Sequence, residues 1–264
     1  MNGTSGIQIM EFGLLQVKVF GLVFARVSAL ISVVPIFGSG VVPASVKAAF
    51  SLVLALILTP MVAPSTQPLP DDLAGYAALV AGEVAIGLVI GFAVFLVFIG
   101  VQMAGQMLDF QMGFGIMNII NPAMETQAPL VGFFQFVVAM LIFLAVQGHH
   151  RIIASLFESF GKVPVTTFSY HAALTGRMIE ASGRLFYVGL QIAAPALATL
   201  LLTSFVLAIV GRFIPQINLL IVGFPIRTAV GVTMLILTLQ VMVMVMRNSF
   251  QTMWQDVGYL LDYL

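Results

Sequence analysis

Apolar positions gather into six long runs, at 12–37, 48–63, 76–108, 130–146, 185–210 and 228–246. An apolar helix of roughly 20 residues spans the ~30 Å hydrocarbon core of a bilayer, so the runs predict helices made for apolar surroundings. Two runs do not fit one clean crossing each. The second is short, and the third would be about 50 Å long as one helix, so it must tilt, kink or protrude.

The segments between runs predict where helices stop. Pro35 and Pro43 flank Gly38-Ser39-Gly40; proline removes a backbone donor and glycine opens positive φ, so a tight turn or broken helix is expected there. Residues 63–75 (APSTQPLPDDLAG) form a proline-stiffened polar linker. Its Asp71 and Asp72 sit where a helix N-terminus favours negative charge. Residues 151–160 follow amphipathic helical spacing through Ile152, Ile153, Leu156, Phe157 and Phe160. Residues 161–184 read as a loop plus a short amphipathic helix. Pro195 should kink the fifth run or mark its effective start, and 211–227 reads as a second Pro/Gly break. The tail from Arg247 is amphipathic, with Trp254, Tyr259 and Tyr263 suited to an interface. One plan occurs twice: an apolar helix, a proline break, a second proline, a basic residue and another apolar helix. It describes 12–63 (Pro35, Pro43, Lys47) and 185–246 (Pro215, Pro225, Arg227).

Composition turns this pattern into a class. The chain is 61% hydrophobic and 8% charged over 264 residues, with no net charge, where soluble domains carry about 25% charged residues. So few charges cannot cover a water-facing surface. The chain is a polytopic membrane protein or a subunit buried in a larger apolar assembly. Zero net charge offers nucleic acid no electrostatic footprint. The absence of cysteine removes thiolate chemistry and Cys-ligated metals. No cleavable leader is evident, and a first helix that stays attached is expected.

The charges inside the runs are few. Lys18 and Arg26 lie eight residues apart, near one helix face. Lys18 is expected to snorkel and Arg26 to find a partner inside an assembly, with an ion path as the alternative. Glu83 is an intramembrane carboxylate: a functional-site hypothesis, or one half of a pair with an Arg of this or another chain. Gly87 and Gly91 form GxxxG, which lets helix backbones approach closely. His149-His150 lacks the spacing of a metal site.

The stretch 101–129 is unlike an ordinary polar connection. It carries Met103, Met107, Met112, Met117 and Met124, with Phe110 and Phe114 among them. Gly113 and Gly115 bracket Phe114, and Asp109 and Glu125 are its only charges. A greasy, soft, glycine-hinged segment is a plug or gate candidate. Met103 and Met107 continue the third run and belong with helix packing. No P-loop, dinucleotide fingerprint, zinc spacing or nucleophile elbow occurs, so an enzyme is not expected, and no cofactor is implied. A structural and gating subunit of a protein-conducting pore fits best; a small-solute secondary transporter or channel is the alternative.

Three blocks carry a family resemblance: RVSALISVVPIFGSGVVPASVKAAFSLVLALILTP at 26–60, DFQMGFGIMNIINP at 109–122 and QGHHRIIASLFESFGKVP at 147–164. They resemble the FliR family of flagellar type III export-gate proteins and its injectisome counterparts, collinearly over nearly the whole chain. PQIN and FPIR within 211–227 also resemble the hairpin of the small FliQ subunit. The resemblance implies an all-α chain of hydrophobic helical hairpins with broken helices. It would comprise a FliP-like part, 1–184, with a central plug loop at about 106–128, and a FliQ-like hairpin with amphipathic tail, 185–264. It further implies a multi-pass protein of the bacterial inner membrane, in the flagellar basal body, packed with FliP and FliQ beside FlhB. The implied substrates are unfolded flagellar proteins, and much of the gate would stand above the bilayer plane. Phe110, Met112, Gly113, Phe114, Gly115 and Met117 are then expected to form the plug. Arg26, Glu83, Gly87, Gly91, Gln216, Asn218, Pro225 and Arg227 are expected as assembly contacts.

Overall fold

A computed structural model describes residues 3–38, 42–62, 69–114, 129–216 and 218–264, without the side chains of 3–12, 219 and 220. All regular structure among them is helical. The helices are α1 (Gly3–Val33), α2 (Pro35–Gly38), α3 (Ala44–Val62), α4 (Leu73–Met112), α5 (Leu130–Ala145), α6 (Gly148–Lys162), α7 (Ala172–Phe213) and α8 (Leu219–Leu261).

The first break forms where the prolines place it. α1 stops at Val33, Pro35 opens the single turn of α2, and Pro43 immediately precedes α3. The Pro43 carbonyl accepts the first helical bonds, from the Val46 and Lys47 amides. Starting there makes α3 19 residues long, about 28 Å, so the run that looked short for one crossing becomes a helix close to the length a crossing needs. The apolar run understates it because Ala44, Ser45 and Lys47 are helix-compatible without being strongly apolar. Asp72 caps α4 as the charge pattern expects: its carboxylate accepts the Gly75 amide at 2.7 Å and its carbonyl the Tyr76 amide.

Two of the prolines lie inside continuous helices. α7 runs for 42 residues through Pro195, merging the short amphipathic helix with the fifth apolar run. α8 runs for 43 residues through Pro225 and absorbs the amphipathic tail. A proline in apolar surroundings removes one helical bond, and neighbouring groups can satisfy the carbonyl it releases. The break expected in 211–227 falls between Phe213 and Leu219, with a turn at Pro215-Gln216. α4, at 40 residues, fulfils the expectation of an overlong helix. Among the described residues, five helices are long and apolar enough to cross a membrane, or six if α5 and α6 act as one.

The chain forms two compact units. One comprises Met1–Phe95, Gly148–Ala181 and Met253–Leu264; the other comprises Leu96–Gln147 and Ser182–Thr252. The first buries Val19, Leu22, Val23, Val27 and Leu30 of α1, Ile86 and Ile90 of α4, and Ile152 and Leu156 of α6. The second centres on Phe98, Phe143 and Phe250, whose rings stand 5.0–5.7 Å apart. In each, buried positions recur at helical spacing, as at Val131, Gln135, Ala139 and Phe143 on α5.

Candidate gate region and the buried ion pair

α4 ends in a Schellman motif. The Phe114 amide donates to the Asp109 carbonyl at 3.0 Å and the Gly113 amide to the Phe110 carbonyl at 3.2 Å. Gly113 adopts φ 92°, the left-handed conformation that makes glycine the usual residue after a helix. The helix therefore carries 106–112, and the connection starts at Gly113.

The candidate plug residues separate by environment. Met112 is fully buried; its side chain lies against Gly231 of α8, and its carbonyl accepts the Thr228 hydroxyl at 3.4 Å. Phe114 meets Phe224 edge-to-face at 6.1 Å. Phe110, on the last turn of α4, is 78% exposed. It borders an open groove of about 410 Å³ with Met103, Gln106, Met107, Gln111 and Leu197. Met112, Phe114, Leu130, Phe134 and Ile236 help line a separate apolar cavity of about 350 Å³. Gly115 and Met117 lie outside the described residues.

Asp109 is the residue that sequence reasoning passed over. Its carboxylate is buried and accepts the Val131 amide at 3.0 Å and the Gly132 amide at 3.1 Å. These are the second and third amides of α5, the donors that a helix-capping side chain normally satisfies. The residue at the cap position is Pro129, which provides no side-chain cap. Asp109 supplies the missing acceptor from 22 positions earlier, with its negative charge at the positive end of α5. The helices touch there without intervening side chains: a Cβ on Gly105 would overlap the Gly132 backbone.

The charges buried in the first unit form one network. Arg26 Nε donates to Glu83 at 2.6 Å, Nη1 to the Ser159 hydroxyl at 3.2 Å and Nη2 to the Val163 carbonyl at 2.9 Å. The guanidinium also lies 4.2 Å from the Phe160 ring centre. The other Glu83 oxygen accepts the Thr166 amide at 3.4 Å. Both side chains are almost wholly buried. Of the expected readings of these two charges, the one that pairs Glu83 with an Arg of this chain matches the structure: Arg26 and Glu83 bond each other, Ser159, Val163 and Thr166. Gly87 and Gly91 likewise pack internally, since a Cβ at either would strike α1 at Arg26 and Ala29 or at Leu30 and Val33. Lys18 pairs with Asp71 at 3.1 Å in the linker.

The remaining expected contacts lie at the second hairpin. Gln216 and Asn218 are exposed in the α7–α8 turn. The Asn218 carbonyl accepts the Ile221 and Val222 amides that open α8. Pro225 is exposed within α8. Arg227 has a buried Nε without a hydrogen-bond partner among the described residues. The described residues hold no group of three or more His, Asp or Glu able to bind a metal.

Comparison with known proteins sets these features in a family. Residues 17–253 match the model of bacterial export proteins, family 1. The chain is 33% identical to the flagellar biosynthetic protein FliR of Bacillus subtilis (strain 168), over 88% of this chain and 90% of that one. It is 29% identical to the FliR of Aquifex aeolicus, over 91% and 93% respectively. It is also 26% identical to Yop proteins translocation protein T of Yersinia pestis, over 60% and 62%. With the match covering most of its length, the chain belongs to family 1 of the bacterial export proteins.

Proposed function

We propose that this chain is a core membrane subunit of the flagellar type III export gate, where it helps form and close the pore for unfolded flagellar proteins. The observation that carries the reading is its similarity, at 33% identity over 88% of its length, to a flagellar biosynthetic protein. Its chemistry is positional rather than enzymatic. The small-solute transporter alternative loses its main polar support, because Arg26 and Glu83 neutralise each other within the fold.

The closure uses the end of α4. Gly113 fixes where the helix stops, Phe110 projects from its rim, and Phe114 meets Phe224 of α8 edge-to-face. A cluster of methionines and phenylalanines adapts its shape readily because the thioether chain is unbranched, and an apolar constriction blocks ions by dewetting. Gly115 and Met117 join this proposal on sequence alone. FliP and FliQ in one complex, with FlhB alongside, are the partners, and the bacterial inner membrane is the location. Arg227, a half-buried cation on the α7–α8 hairpin, is proposed as an assembly contact. Gln216, Asn218 and Pro225 present exposed positions on the same hairpin.

Deletion of residues 110–117 tests the closure. In assembled complexes it is expected to raise ion permeability and slow growth. Unchanged permeability with normal assembly would sink the plug role. Loss of the whole gene is expected to abolish flagella and restoration to recover them.

A further inference from the structure

We infer that Asp109 is a positioning residue for the closure, joining the end of α4 to the start of α5 and setting where Phe110 and Phe114 stand. The inference rests on the closure reading above. Its basis is that one residue makes both connections. The Asp109 side chain caps α5 through Val131 and Gly132, while its backbone carbonyl receives the Phe114 amide in the motif that ends α4. Phe110 follows it directly in sequence, and Gly105 and Gly132 bring the two backbones into contact one turn away. α5 has no cap of its own, since Pro129 provides no side-chain acceptor. Without Asp109, two buried amides at the helix start lack their acceptor, and such amides seek water or shift the helix end. Either response displaces the last turn of α4 against α5, and with it the aromatic residues at the rim.

A carboxylate serves here better than an amide. Both of its oxygens accept, and its charge complements the helix dipole. An asparagine side chain in its place would present one acceptor and one donor to two N–H groups, satisfying one and opposing the other. Alanine satisfies neither. The prediction is therefore graded rather than all-or-none.

The experiment compares Asp109→Ala, Asp109→Asn, Phe114→Ala and the 110–117 deletion in cells producing the whole export apparatus, with complex abundance and ion leak both measured. The expected result is normal assembly with an ion leak in Asp109→Ala, a smaller leak in Asp109→Asn, and a leak in Phe114→Ala. The double variant Asp109→Ala/Phe114→Ala should leak no more than the greater single, because both act through one displaced segment. If Asp109→Ala fails to accumulate, Asp109→Asn decides: a tight, assembled variant carrying the amide overturns the inference. A leak in the deletion with none in assembled Asp109→Ala overturns the positioning role while leaving the closure intact. No leak in any variant, the deletion included, overturns the closure itself.

Discussion

Glu83→Ala should be among the most damaging single changes in the first unit. It leaves the Arg26 guanidinium buried beside Phe160 with only the Ser159 and Val163 oxygens as acceptors. Removing one member of a buried pair costs about 3–5 kcal/mol, because the other charge remains desolvated. The double change Arg26→Met/Glu83→Leu should be milder than Glu83→Ala, since apolar groups of similar volume often replace such a pair at little cost. Thermal unfolding of the purified complex, or the protein level in membranes, ranks the two; a double variant worse than the single would contradict the pair's internal role. The sequence marks both charges as anomalous in apolar runs, but not that they meet across 57 positions. Asp109 is harder to read. Its only local sign is indirect: the helix after Pro129 begins without a Ser, Thr, Asp or Asn, so its acceptor must come from elsewhere. Phe110 and Met112, two positions apart, illustrate the same limit. Composition groups them, whereas helix phase exposes one and buries the other.

At the scale of elements, close helix contact depends on which glycines face a neighbour. Gly87→Val should separate α4 from α1, because the added atoms meet the Arg26 carbonyl and the Ala29 side chain rather than a movable chain end. Overpacking of this kind costs about 1–3 kcal/mol. Gly176 of α7 has nothing near an added Cβ, so Gly176→Ala should be neutral or stabilising by about 0.5–1 kcal/mol through helix propensity. Unfolding midpoints of the two variants, measured side by side in one detergent, check both signs. GxxxG is legible in sequence, and its partner helix is not. Helix existence is legible for every apolar run, but helix ends at proline are not. Pro35 and Pro43 coincide with interrupted helices, whereas Pro195 and Pro225 lie inside continuous ones. Around the first two prolines the helix lapses after Val33 and α2 ends at Gly38. No glycine follows Pro195 until Gly211, and a lone proline loses too few hydrogen bonds to end an apolar helix.

For the whole molecule, the decisive quantity is apolar surface left uncovered. Within the chain 61% of the most apolar window of α4 is buried, against 28% for α7 and 22% for α8. At 42 and 43 residues, α7 and α8 would each be over 60 Å long, about twice the hydrocarbon thickness. Their apolar stretches, 185–210 and 228–246, leave large outer faces uncovered by this chain, with Leu202 and Leu237 66% and 67% exposed. Lipid or other protein must cover them, and the proposed place in an export gate favours other protein for at least part of them. A photo-crosslinking side chain at Leu202 or Leu237 separates these coverings. Protein cover yields discrete higher-mass adducts in membranes containing the whole apparatus, and those adducts disappear when the other gate subunits are deleted. Lipid cover yields no protein adduct in either case. Leu200, fully buried two residues from Leu202, serves as the internal control and should yield no adduct to another chain. We expect adducts at one or both exposed positions. Their absence at both, in assembled complexes, would mean that these faces meet lipid and that the gate is built from other surfaces of the chain.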